Sequence, residues 1–198
     1  MEIKKLANNA LNFASNRFIE ILGMCIIVIG VLLLISLISF SPDDPNFIFP
    51  EGTQIKNFLG YRGSFSADFF FQSFGSISLL IPFSLIFTGI NITINKKIFL
   101  IIESIFFIIL YLLSGALFFS FFYSNTFELY INGNGGFIGN YLKTSFLNSF
   151  ISFNSQVAYY FLILLVVILF LTSIQFKISF FYKFIKRILK FLFSKEEK

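Results

Sequence analysis

The sequence predicts an all-α membrane protein: four transmembrane helices, both termini cytoplasmic, and two periplasmic loops carrying short interfacial helices. Three observations lead there. Four long runs, 21–40, 69–95, 104–123 and 157–176, contain no Lys, Arg, Asp or Glu. The chain of 198 residues is 57% hydrophobic and 13% charged, with mean hydropathy +0.85. Its 15 basic residues fall unevenly between the runs. Twenty helical residues rise about 30 Å, the thickness of a bilayer's hydrocarbon core, and helices satisfy their own backbone groups in lipid. The runs are continuous, without the ten-residue alternation of a barrel strand.

The first span, 21–40, follows a cytoplasmic segment, 1–20. No small-residue cleavage site comes after it, so it is expected to be a retained anchor rather than a signal peptide. Ser41-Pro42 ends it, since proline lacks an N–H and restricts the residue before it. The first outer loop, 41–68, precedes a long second run. There Ser66 is expected to cap the helix, with Asp68 in its first turn, where negative charge favours the dipole. The extra turns before Phe74 are placed at the outer interface, leaving 74–95 as the span. Pro82 is expected to kink it. Lys96-Lys97 make a tight inner turn into the third span, 98–123. The second outer loop, 124–156, leads through a glycine-rich turn and a short interfacial helix near 137–150 to the fourth span, 157–176. The membrane domain is thus 21–176 and the tail 177–198.

Lys/Arg-rich loops stay in the cytoplasm. Lys4, Lys5, Arg17, Lys96, Lys97 and seven basic residues after position 176 lie on one side; Lys56, Arg62 and Lys143 lie on the other. In the tail, Phe181, Phe184, Ile185, Ile188 and Leu192 recur at helical spacing opposite Lys183, Lys186, Arg187 and Lys190. A basic amphipathic helix beside a span is read as lying on the anionic inner leaflet. Lipid phosphate is the nearer ligand for it than nucleic acid, and no direct nucleic-acid binding is expected.

The chemistry available is narrow. With no histidine, the chain cannot build a His-ligated metal site, a haem ligand of that type or a Ser–His dyad. Cys25 is the only cysteine and lies in an apolar run, so no intrachain disulfide forms. No catalytic residue, metal site or cofactor is expected. The stretch from Gly133 to Gly139 lacks the Lys-Ser/Thr of a phosphate loop: Asn140 follows the last glycine. Gly135 and Gly139 form a small-xxx-small pair that permits close helix approach, a common pattern and a weak pointer to self-association. Asp43-Asp44, between two prolines, reads as a turn rather than a catalytic pair. Glu103, the lone ionisable residue within an apolar stretch, reads as an interfacial charge rather than a proton relay. It lies two turns from Lys96 on the same face.

Arg17 and Glu20 before span one, then Ser41-Pro42-Asp43-Asp44-Pro45, then Asn57, Gly60, Arg62, Gly63 and Asp68, then Gln72, Phe74 and Gly75, then Gly135, Gly136 and Gly139 form an ordered set. In that order, across four spans, the chain resembles the N-terminal membrane domain of the bacterial DNA translocase family FtsK/SpoIIIE. The resemblance covers 17–176. It implies an anchor in the inner membrane at the division septum, which oligomerises, helps assemble other division membrane proteins and supports chromosome segregation. In complete members a linker and a hexameric ATP-driven motor follow. The 198 residues contain no Walker motif, so the chain is not expected to be an enzyme. It reads either as a stand-alone anchor serving a separate cytoplasmic motor or as part of a longer product. Asp43, Asp44, Asn57, Gly60, Arg62, Gly63, Gly135, Gly136 and Gly139 are the residues expected to shape the outer loops for partner contact.

Three other readings compete. A small transporter or channel needs facing charged groups or paired broken helices at mid-membrane. An intramembrane enzyme needs a nucleophile and base that this composition scarcely supplies. A generic membrane assembly factor would share the hydropathy and differ in location.

Overall fold

In a computed structural model the described residues are 2–45, 54–124 and 132–176, with side chains left aside at 2–7 and 150. Seven α-helices and one 3₁₀ segment account for the secondary structure among them: α1 (Glu2–Ile38), α2 (Gly60–Phe74), the 3₁₀ segment Gly75–Leu80, α3 (Ile81–Asn95), α4 (Phe99–Phe122), α5 (Gly136–Lys143), α6 (Leu147–Phe153) and α7 (Ser155–Ser173). Four stretches are long and apolar enough to cross a membrane: Asn8–Ile38, Gly60–Asn95, Phe99–Phe122 and Ser155–Ser173.

The helices pack as two pairs, α1 with α3 and α4 with α7. In the first pair, backbones approach where glycine removes the side chain. A Cβ on Gly89 would lie 2.6 Å from the Gly23 carbonyl oxygen, and one on Gly30 would lie 2.8 Å from Ile86 Cγ1. This is the small-residue packing that drives helix association where lipid is as apolar as leucine. The second pair uses large side chains instead. Phe118, Phe122, Tyr123 and Tyr159 cluster with ring centroids 5.1–6.4 Å apart, and the Tyr123 and Tyr159 hydroxyls meet at 2.8 Å. Only Leu162 and Ser173 of α7 are buried, so nearly all of that helix is left to lipid or to another chain.

The pairs are joined by hydroxyl groups that run from mid-helix toward the Lys96-Lys97 turn, here called the lysine end. Ser84 Oγ lies 3.1 Å from Tyr111 Oη and 2.9 Å from Ser173 Oγ, the Thr88 and Ser104 hydroxyls bond, and Ser104 Oγ donates to the Ser173 carbonyl at 2.9 Å. Asn91 Nδ2 donates to the Ile174 carbonyl at 3.1 Å. All four of these serines and threonines are buried and bond one another. They therefore act as interhelical glue rather than as the lining of a polar path.

The second run is not one kinked helix. It breaks at Gly75, whose φ of +73° favours glycine, and passes through the 3₁₀ segment; Pro82 falls in the first turn of α3, where its missing N–H costs nothing. The expected kink at Pro82 is replaced by this break because a following segment fills it: Ser76 N donates to the Asn134 carbonyl at 2.9 Å and Ser78 Oγ to the Phe70 carbonyl at 2.8 Å. Broken backbone at membrane depth survives only when protein resupplies its partners. Before the break, α2 makes no progress toward the lysine end. Its Gly63 carbonyl takes the Ser36 hydroxyl at 2.6 Å, while Phe71, two turns on, packs against Phe40 with ring centroids 4.8 Å apart. So α2 lies across the opposite end, the loop end. The 3₁₀ segment and α3 together rise about 34 Å, enough for one crossing by themselves.

Ser66 does not cap this helix, which starts at Gly60. It sits a turn and a half inside, its hydroxyl donating to the Arg62 carbonyl at 2.9 Å and meeting Ser36 Oγ at 3.0 Å. The first helix is also much longer than its apolar run, reaching back to Glu2, because nothing between Lys4 and Ile21 breaks a helix.

Candidate functional site

At the loop end, two hydrogen-bonded clamps are built from residues singled out in the sequence. The first folds the loop after α1 back onto that helix's C-terminus. Asp44, buried, accepts from the backbone N–H groups of Lys56 (2.7 Å) and Asn57 (2.8 Å). Asn57, also buried, donates through Nδ2 to the carbonyls of Ser36 (2.9 Å) and Ser39 (3.2 Å), two of the groups a helix end leaves unpaired. Its Oδ1 accepts from Leu59 N at 3.1 Å. A Cβ at Gly63 would overlap that same oxygen, so only glycine lets α2 pass here. Gly60, with φ +63°, turns the chain into α2.

The second clamp seats the glycine-rich loop in the break of the second run. Asn134 is fully buried; its Nδ2 donates to the Tyr123 carbonyl at 2.5 Å. A Cβ on Gly136, whose φ is +64°, would lie 2.6 Å from Gly75 N. Gly135 and Gly139 face α4, where a Cβ on Gly135 would lie 2.7 Å from the Ala116 carbonyl oxygen and one on Gly139 would overlap it. Lys143 Nζ donates to the Ser120 carbonyl at 2.9 Å and stands 5.4 Å from the Phe121 ring centroid. The Gly135/Gly139 pair is thus spent on packing α5 against α4 of the same chain, leaving no room there for a second copy. The single interfacial helix expected near 137–150 is two, α5 and α6, separated at 144–146.

Of the nine outer-loop residues singled out, Asp44, Asn57, Gly63, Gly135, Gly136 and Gly139 are buried and hold the loops together. Arg62 is exposed, and Asp43 is exposed with Lys56 Nζ 2.7 Å from its carboxylate. The outward surface is made by residues the sequence reading passed over. Phe58 is 80% exposed, and Tyr61 and Phe69 stand out from α2, with Phe65 between them at the i, i+4, i+8 spacing. On α5, Phe137 and Tyr141 stack with centroids 6.5 Å apart and face outward. That spacing was the available signal, masked by the 33 phenylalanines in the chain.

At the lysine end, Glu20 is held by two cations. Lys96 Nζ lies 2.8 Å from one carboxylate oxygen, and Arg17 pairs with the other. Lys96 therefore ties the α3–α4 turn to α1 instead of sharing a face with Glu103, as its spacing had suggested; its φ of +55° ends α3 and swings the side chain toward α1. Lys183, Lys186, Arg187 and Lys190 lie outside the described residues. No group of three or more potential metal ligands occurs among the described residues. Cys25 is exposed on α1.

The sequence profile of the 4TM region of DNA translocase FtsK/SpoIIIE matches residues 15–189. A DNA translocase FtsK of Rickettsia bellii (strain RML369-C) is 36% identical over 81 residues, covering 40% of this chain and 10% of the relative. Those of Rickettsia typhi (strain ATCC VR-144 / Wilmington) and Rickettsia prowazekii (strain Madrid E) are each 34% identical over 64 residues, covering 32% of this chain and 9% of each relative. The match therefore spans about a tenth of the length of these relatives. No solved structure gives a significant match.

Proposed function

The chain belongs to the family of the 4TM region of DNA translocase FtsK/SpoIIIE, and on that premise we propose that it is the membrane anchor and assembly module of an FtsK-like translocase. It crosses the bacterial inner membrane with both ends in the cytoplasm, gathers at the division septum, self-associates, and holds near the membrane an ATP-driven DNA motor that these 198 residues do not contain. The basic asymmetry supports the orientation: twelve Lys/Arg on the side of Lys96-Lys97 against Lys56, Arg62 and Lys143 on the other. The single observation that carries the assembly role is the loop end itself. Two clamps of buried polar groups hold α2 and α5 in place, and exposed aromatic side chains stand out beside them: Phe58, Tyr61 and Phe69 at and before α2, Phe137 and Tyr141 on α5. Aromatic residues on a rigid platform give large contact area at low entropic cost. Other division membrane proteins are the partners for this face. The buried turn residues Asp44, Asn57, Gly63, Gly135, Gly136 and Gly139 shape it, and Asp43, Gly60 and Arg62 border it.

The test is a fluorescent fusion with Tyr61→Ser and Phe69→Ser together. Midcell bands are expected to give way to a uniform membrane signal while insertion and abundance are kept. Midcell bands that persist at full intensity overturn the assignment of this face. A uniform signal for the unaltered chain overturns the division reading as a whole and leaves the generic assembly factor.

A further inference from the structure

The outward side of α1 stays apolar beyond the span. Lys96, in the α3–α4 turn, reaches Glu20 at 2.8 Å, so Glu20 is level with the membrane edge at the lysine end. α1 starts at Glu2, and the stretch before Glu20 adds about 27 Å of helix. Two faces run along it at three- and four-residue steps. One packs on α3 through Gly30 and Gly23, continues through Glu20 and becomes polar at Asn16, Asn12 and Asn9. The opposite face points away from α3 at Val28, Cys25 and Ile21 and remains apolar past the edge at Phe18, Ala14 and Ala10, all exposed.

Leu11 and Phe13 widen that second face to a sector of roughly 160°, and with Phe18 they are 63–67% exposed. Continued along the α1 axis, the sector stands in water. A helix that bends away from its own bundle at the membrane surface turns its lipid-facing side down onto the acyl chains, so the sector lies on the side that such a bend requires. Ser15 and Asn16, weak helix formers, sit where the bend falls. The sector is wider than the narrow seam of a coiled coil. Arg17 lies inside it, 5.1 Å from the Phe13 ring centroid and paired with Glu20. Between two copies that cation is buried; at a membrane surface it lifts to the headgroup phosphates. Lys4 and Lys5 precede it in the sequence and outweigh the charge of Glu2.

We propose that the segment before Glu20 is a further membrane anchor: an amphipathic helix lying in the headgroup layer of the leaflet at the lysine end, with an anionic phospholipid surface as its partner. Leu11, Phe13, Ala14 and Phe18 enter the acyl boundary, and Asn9, Asn12 and Asn16 face the water. Arg17, with the two lysines ahead of it in the sequence, supplies the attraction to anionic headgroups. The Glu20–Lys96 pair is the pivot. It fixes the rotation of α1 about its own axis and thereby which face meets the leaflet.

The full chain, with Cys25→Ala, is reconstituted into vesicles of choline and anionic glycerol phospholipids, carrying one spin-labelled cysteine at a time along 8–18. Power-saturation electron paramagnetic resonance reads the contact of each label with oxygen, which concentrates in acyl chains, and with a nickel chelate, which stays in water. Oxygen contact is expected to peak at 11, 14 and 18 and nickel contact at 9 and 12. Equal nickel contact throughout places the helix in water and overturns the proposal. Labels at 11, 14 and 18 shielded from both reagents also overturn it, because protein then covers the face: the tail if deleting 179–198 removes the shielding, a second copy if dilution in lipid does. Lys4→Gln is expected to lower the ratio of docked to free helix about fivefold, the effect of one basic residue at an anionic surface, and vesicles of choline lipid alone are expected to lower it further. A ratio unchanged in both overturns the anionic surface as partner. Phe13→Ser with Phe18→Ser is expected to equalise nickel contact at 14 and 12 while a label at 28 keeps its oxygen contact, which reports an inserted span. A period that survives in this variant overturns docking through the apolar sector.

Discussion

The two helix pairs hold together by different means, and the difference shows where a membrane protein of this composition gets its specificity. In α1–α3, glycines remove side chains so that backbones touch: Gly23 and Gly89 leave no room for a Cβ on either. In α4–α7, phenyl and phenol rings fill the gap, and the polar contacts are the Tyr123–Tyr159 hydroxyl pair at one end and the Ser104 hydroxyl on the Ser173 carbonyl toward the other. The first arrangement has one geometry. The second is set by ring packing, and most of the α7 surface lies outside the pair, so less of its packing is fixed by backbone contact. The backbone-packed pair is also the one tied by Glu20 and Lys96 and by the Asn57 clamp.

The contrast can be broken in graded steps. The break in the second run, where the glycine-rich loop seats, is the most sensitive point. Gly75→Val combines φ +73° with overlap of the Asn134 carbonyl and is expected to destabilise by about 3 kcal/mol, seen as loss of the folded fraction in a titration of detergent-solubilised protein with denaturing detergent. Gly89→Leu forces α1 and α3 apart and is expected to cost about 2–3 kcal/mol. The same assay reads it. Asn57→Ala leaves the Ser36 and Ser39 carbonyls and the Gly63 approach without the clamp. About 1–3 kcal/mol is expected, together with faster proteolysis of the loop before α2. Tyr159→Phe removes the hydroxyl contact with Tyr123 across the second pair and is expected to cost only about 0.6 kcal/mol, the usual value of an interhelical hydrogen bond in a membrane. A cost for Tyr159→Phe equal to that of Gly89→Leu would show that the pairs are equally rigid and would remove the distinction.

Much of the architecture was legible because hydropathy is a local property. Four uncharged runs of twenty residues need no partner to declare a crossing. Asp44, Asn57 and Gly63 could be found as residues of consequence, since turn chemistry has a sequence signature. Their direction could not. The same Asp-Asp turn that looked available to partners folds Asp44 inward, because backbone N–H groups twelve and thirteen residues on reach it first. Ser66 resembled a cap and is an interior residue, since Gly60 supplied a better start. The outward aromatic row escaped notice because phenylalanine is everywhere in the chain, and lipid-facing and partner-facing rings are identical in sequence.

Residue order alone settled that the chain is helical, how many bilayer-length segments it holds and which of its short connections carry charge. Tertiary structure decided which glycines are contacts, that α2 lies across the bundle instead of through it, and that Lys96 answers Glu20. The reason is physical: in lipid the outside of a helix is as apolar as its packed face, so the pattern that in water tells core from surface is silent, and only the fit of neighbouring backbones assigns the faces.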